Sequence, residues 1–209
     1  MKTFALLDEQ QTGPIIKSDL PKIAKVAEDL TPDGTCLYIG GGDAARDTKT
    51  LERLGISILV NCALNLETHY VHPETDADPT GAVGRNAFRH YHVGLIDGPG
   101  NTAGMVLAGV LVAEGALRQR IPDKLSYPYR QTGHLLIHCR AGRSRSVAIG
   151  ALLMARLRPD LYPDLETALA VIRARRPLAP TEWNAAPKHE LRVLMAEAWE
   201  MLQSIGDRI

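Results

Sequence analysis

Residues 56–62 (ISILVNC) form an almost unbroken apolar run. A strand that reads this way has no polar face to offer water, so it belongs inside a sheet covered on both sides. A second run, 134–139 (HLLIHC), leads into Gly142 and then a helical pattern at 144–157, with apolar residues at 147, 149, 152, 153 and 157. Shorter β-type segments lie at 35–39 (TCLYI), before Gly40-Gly41-Gly42, and at 88–95. Asp43 is the expected N-cap of a helix to about Leu54, closed by Gly55. Further helices are expected at about 102–118, at 165–175 before Pro177, and from about Glu182 to Leu202 with an interruption near Pro187. Asp97-Gly98-Pro99-Gly100 reads as a turn, 65–86 as an insertion loop and 121–132 as a second loop. The order β-α-β-β-α-β-α-α predicts an α/β fold with a central, mostly parallel sheet flanked by helices on both faces. Residues 1–33 show no clear element and are expected to join the same single domain. There is no internal repeat.

Composition narrows the function classes. The chain has 209 residues, 45% apolar and 23% charged, which is ordinary for a soluble globular protein. Basic and acidic residues balance at 24 each, without the excess expected of a nucleic-acid binder. The longest strongly apolar stretch, 147–155, is about half of the roughly 20 residues that a membrane span needs. Residues 4–7 are too short for a signal-peptide core. Three cysteines (Cys36, Cys62, Cys139) make no disulfide framework. A reducing cytoplasm is therefore the expected setting, where a single reactive thiol can persist.

The stretch 138–146 reads His138-Cys139-Arg140-Ala141-Gly142-Arg143-Ser144-Arg145-Ser146. It places a cysteine at the C-terminal end of a buried strand, then a tight turn, then a helix start. Ligands bind at that point of open α/β sheets. Successive backbone N–H groups and the helix N-terminus make a cradle for a tetrahedral oxyanion. The guanidinium of Arg145 is spaced to clamp two oxygens of it. The same donors favour the Cys139 thiolate, which would lie beneath a bound phosphate, in line for attack.

These residues resemble the HCxxGxxR[ST] signature of the cysteine-dependent protein tyrosine phosphatases, dual-specificity branch. Leu37-Tyr38-Ile39-Gly40 with Asp43-Ala44-Ala45, Leu54-Gly55-Ile56 leading into Val60-Asn61-Cys62-Ala63, and Arg175-Arg176-Pro177 are similar to further segments of that branch, in the same order. The resemblance runs from about 36 to 195. It implies Cys139 as nucleophile, Arg145 as phosphoryl ligand, Ser146 as a hydrogen-bond donor to the leaving sulfur, and His138 as a tuner of the thiolate. Arg140, Ala141, Gly142, Arg143, Ser144 and Arg145 would bind the phosphate. Asp97, the only acidic residue between Asp78 and Glu114, would be the general acid and then the base. Many members place an Asn five residues after that acid; here Asn101 follows by four. Pro180-Thr181-Glu182-Trp183 lacks the Pro-Asn pair common in the family. No cofactor and no metal are expected.

Other residues carry two readings. His69, His72, Asp76 and Asp78 could suggest a metal site but fit no recognised ligand spacing. His90 and His92 share a strand face and read as half-buried structural residues. Cys62 is either a small apolar residue of a buried strand or, as in some family members, a thiol that traps the oxidised nucleophile in a disulfide. Residues 140–176 hold eight arginines against Asp160, Asp164 and Glu166, either a solvated basic face or a site for a multiply charged phosphate. Phosphoprotein is the first expected substrate. A phospholipid or inositol phosphate is the second, because lipid-directed members carry basic residues at the positions of Arg140 and Arg143. A rhodanese-like sulfurtransferase typically has its Arg five residues after the Cys, where Ser144 stands here. An inert phosphate-binding module would be favoured by loss of Cys139 or Arg145, and both are present.

Overall fold

A computed structural model describes residues 20–70, 86–122, 124, 127, 133–178 and 187–206. The two apolar runs form the middle of the sheet. Strand β3 (Ile56–Ala63) is buried at every position, and β5 (His134–His138) at all but its first. With β1 (Ile23–Ala27), β2 (Leu37–Gly40) and β4 (Arg89–Leu95) they make a five-stranded sheet in the order β1-β2-β5-β3-β4. All neighbours are parallel except β1, which runs antiparallel to β2 at the edge. The strand ends are in register: Gly40 of β2 and Asn61 of β3 both pair with His138 of β5. The crevice that ligands use in such sheets therefore opens just beyond His138.

Among the described residues six helices accompany the sheet: α1 (Gly42–Arg46), α2 (Thr48–Arg53), α3 (Ala103–Arg118), α4 (Arg145–Leu157), α5 (Leu165–Arg175) and α6 (His189–Ile205). Alternation along the strands sorts the core into two layers. Leu37, Ile39, Ile58, Val60, Leu135 and Ile137 pack with α3, α4, α5 and α6 in the larger cluster. Tyr38, Leu59 and Leu136 face the other way, against Leu51, Tyr70 and Phe88. Helix α4 is the centre of the thick layer, buried from Arg145 through Ala155. No described helix is long and apolar enough to cross a membrane.

Two elements differ from the sequence expectation. Strand β1 falls in the segment without an assigned element. It is a short edge strand with a mixed burial pattern, and its pairing with β2 defines it more than its own sequence does. The single helix expected from Asp43 to Leu54 is broken at Asp47. The Asp47 carboxylate accepts the Thr50 N–H at 3.1 Å and starts α2 afresh, so Asp47 caps and Asp43 does not. Helix α6 follows an interruption at Pro187, as expected; the expected start near Glu182 lies outside the described residues. Much of the 65–86 and 121–132 loops, and residues 1–19 and 179–186, lie outside the described residues.

Candidate active site

Cys139 follows β5 directly, and the loop 139–144 leads into α4. Gly142 is what lets the loop close so tightly. It sits at φ +66°, and a Cβ there would stand 2.5 Å from the Gly40 carbonyl and 2.7 Å from Arg176 Nη2. The Gly142 N–H donates to Cys139 Sγ at 3.3 Å, and Ser146 Oγ lies 3.4 Å from the same sulfur. Burial alone would push the Cys139 thiol up. The Arg145 charge, the hydroxyl and amide of Ser146 and the Gly142 amide outweigh it, and the thiol is held below its ordinary value. The side chain is only 2% exposed.

Arg145 is as deeply buried and is fixed from outside the loop. Its Nη1 donates to Asn65 Oδ1 at 2.9 Å and to the Leu95 carbonyl at 3.1 Å, so the ends of β3 and β4 aim it. Its Nε–H makes no hydrogen bond to a described residue, which leaves that donor available to an oxyanion. Asp97 is 45% exposed on the turn after β4, with its carboxylate 4.0 Å from Arg145 Nη2 and 3.4 Å from Lys188 Nζ. The shorter spacing to Asn101 does not cost that residue its place. Asn101 takes the Ile96 N–H and donates to the Ile96 carbonyl, both at 2.8 Å, and donates to the Gly98 carbonyl at 3.1 Å. It staples the turn on both sides of Asp97.

The outer wall of the loop is Arg176, a residue whose role the sequence left unread. The residue is 1% exposed, and among the described residues its guanidinium donates to four backbone carbonyls. Nε reaches Gly142 at 2.7 Å and Nη2 reaches Ala141 at 3.3 Å, while Nη1 reaches Ile39 at 3.0 Å and Pro21 at 3.1 Å. A trans peptide points its N–H away from its C=O. Holding the Ala141 and Gly142 carbonyls outward therefore turns the Gly142 and Arg143 N–H groups inward, and the Gly142 N–H does point at the sulfur. Burial pushes Arg176 down to about 10, which leaves it charged at neutral pH.

The remaining expected site residues divide. The Ser144 hydroxyl accepts the Lys188 backbone N–H at 3.0 Å. Arg140 is exposed and Arg143 half-buried. His138 is fully buried, and burial, with His90 and His92 nearby, pushes it down to about 3, so it acts as a neutral ring. His90 is half-buried as expected, whereas His92 is exposed. His90 Nε2 lies 3.3 Å from Thr68 Oγ1, and His92 Nε2 lies 2.9 Å from the Ala63 carbonyl. Cys62 is buried in β3, one residue beyond the Asn61–His138 pair, as Cys139 is one residue beyond the end of neighbouring β5. Burial and then the Cys139 charge push its thiol well up.

The arginine surplus of 140–176 is not one basic face. Arg145 and Arg176 are buried in the site, Arg156 is paired with buried Glu114 at 2.6 Å, and Arg158 and Arg173 meet Asp160 and Glu166. Among the described residues no group of three or more His, Cys, Asp or Glu is placed to hold a metal ion; His72, Asp76 and Asp78 lie outside them. Asn65, Arg176 and Lys188 are the site residues that sequence reasoning missed. Of these only Arg176 carried a signal, in the Arg175-Arg176-Pro177 segment.

No protein-family model matches the chain. Solved structures do. Human DUSP28 is similar at 21% identity and a TM-score of 0.57, over 88% of this chain and 96% of that one. DUSP15 is similar at 17% identity and a TM-score of 0.56, over 90% and 96%. The Yvh1 phosphatase domain from Chaetomium thermophilum is similar at 20% identity and a TM-score of 0.55, over 79% and 90%. Across nearly its whole length, the chain has the fold of the dual-specificity phosphatases.

Proposed function

We propose that the chain hydrolyses phosphomonoesters through a phosphocysteine intermediate, acting on phosphotyrosine and phosphoserine or phosphothreonine side chains. One observation carries the reading: a buried cysteine sulfur, favoured as thiolate, receives the Gly142 N–H and the Ser146 hydroxyl beside the Arg145 guanidinium. The Cys139 thiolate attacks phosphorus, and the bond to the leaving oxygen breaks as Asp97 protonates it. Arg145 and the loop amides hold the three equatorial oxygens. A water molecule then attacks the phosphocysteine and gives its proton to Asp97. The S–P bond breaks, and the Ser146 hydroxyl receives the returning thiolate. The likeness to dual-specificity phosphatases supports a protein substrate. A reducing compartment suits the mechanism, because it keeps Cys139 as a thiol.

Solvent-accessible Arg140 and half-buried Arg143 support a second reading, a phospholipid or inositol phosphate substrate handled by the same mechanism. The first test is hydrolysis of p-nitrophenyl phosphate with EDTA present, wild type beside Cys139→Ser. Turnover that survives EDTA and disappears in the variant is expected. Phosphopeptides and phosphoinositides compared at equal concentration then separate the two substrate classes. Activity retained by Cys139→Ser would overturn the cysteine mechanism.

A further inference from the structure

Lys188 stands at the N-cap of α6 and touches both halves of the site. Its backbone N–H donates to Ser144 Oγ, where α4 begins. Its ammonium donates to the Asp97 carbonyl oxygen at 2.9 Å and lies 3.4 Å from the Asp97 carboxylate. The turn it reaches has little stiffness of its own: Gly98 and Gly100 sit at φ +157° and +104°. Asn101 pins Ile96 and Gly98 from within that turn. Asp97, the residue between them, is pinned from outside, by Lys188.

The choice of atom matters. A general acid changes protonation state twice in each turnover, so a clamp made only through its carboxylate would weaken each time the proton returns. A hydrogen bond to the main-chain oxygen does not depend on that proton. Arg145, the other nearby cation, is 4.0 Å from the carboxylate and is aimed by Asn65 and Leu95. Resting on the phosphatase reading above, we infer that Lys188 is a positioning residue that holds the Asp97 turn against α4 and α6, and so keeps Asp97 aligned with the leaving oxygen in the first step and with the attacking water in the second.

Lys188→Met removes the ammonium and keeps the backbone N–H on Ser144, so the loop around Cys139 retains its contact. Two esters separate alignment of the acid from general damage. p-Nitrophenolate leaves without a proton, whereas phenolate needs one. The expected loss in kcat/KM for Lys188→Met is about tenfold larger on phenyl phosphate than on p-nitrophenyl phosphate. Lys188→Arg should restore most of it, and in an Asp97→Asn background Lys188→Met should add nothing to the difference between the esters. Equal losses on both esters, or the same added loss without Asp97, would overturn the assignment. If Asp97→Asn alone treats the two esters alike, Asp97 is not the acid and the role of Lys188 falls with it, while the Cys139 mechanism stands. Activity that survives Cys139→Ser is the separate result that removes the phosphatase reading itself.

Discussion

Arg176 Nε donates to the Gly142 carbonyl at 2.7 Å, on the reverse side of the peptide group that follows the amide bonded to the Cys139 sulfur. An arginine 34 residues downstream of Gly142 thus helps shape the cradle without facing a ligand. Replacing it by Met would leave the buried Gly142 and Ile39 carbonyls without these donors, at a cost of about 3 kcal/mol in stability. Urea denaturation measures that loss. The functional signature is separate: inorganic phosphate should inhibit more weakly, and Cys139 should alkylate more slowly at pH ~6. Arg176→Lys keeps the charge but loses the planar fork, and should recover stability better than phosphate affinity. Unchanged inhibition in both variants would assign Arg176 to stability alone.

Asn101 offers a cleaner perturbation, because it touches the acid turn and not the sulfur. Asn101→Ala removes three hydrogen bonds to Ile96 and Gly98. Turnover of phenyl phosphate should fall about tenfold or more, as a misaligned acid would cause. Alkylation of Cys139 by iodoacetamide should keep its rate and pH dependence. A matching change in alkylation would mean that the damage reaches the loop of Cys139.

His138 makes stability depend on pH from about 6.5 downward, beginning above the range in which ordinary carboxylates titrate. Its folded-state value is pushed down to about 3, below the ordinary 6.5, first by burial. Between those values the unfolded chain binds the proton and the folded chain does not. Stability is therefore complete above pH 6.5 and declines as pH falls. From about pH 6.5 to about pH 5 this residue alone should account for about 1.5 kcal/mol. His90, pushed down to about 4, first by burial, adds its own slope in that window, so His138→Gln should lessen the slope there in chemical denaturation without removing it, whatever it does to the absolute stability. An unchanged slope would show that the unfolding free energy does not sense this imidazole.

How much of this was legible in the sequence follows from the range of each interaction. The unbroken apolar runs of β3 and β5 report their own burial, so the middle of the sheet and the point where the site opens could be read directly. The six-residue step from Cys139 to Arg145 is equally local, since one turn and one helix start fix it. Strand β1 was not legible because an edge strand of five residues gains its place from β2. The break at Asp47 was missed because a capping carboxylate competes with helix continuation, and the periodic pattern alone does not show which prevails. Asn65 and Lys188 reach their partners across 80 and 91 residues, and no spacing rule connects them before the fold does.

The strand pairing also bears on oxidation. Asn61 of β3 pairs with His138, the last residue of β5, so Cys62 is one residue on from that pair in β3 and Cys139 one residue on in the loop; adjacent chains at strand spacing suit a disulfide. Hydrogen peroxide would convert the Cys139 thiolate to a sulfenic acid, releasing hydroxide. The Cys62 thiol would then displace water from that sulfur, forming the S–S bond. The chemistry favours this order. After burial, the Cys139 negative charge is what pushes the Cys62 thiol up, and sulfenic acid formation removes that charge. Peptide mapping after mild peroxide treatment should find Cys62 joined to Cys139, with activity returning on addition of dithiothreitol. In Cys62→Ser the same dose should carry Cys139 on to sulfinic acid, and activity should not return. Full recovery in Cys62→Ser, with no Cys62–Cys139 peptide from the wild type, would leave Cys62 as a packing residue of β3.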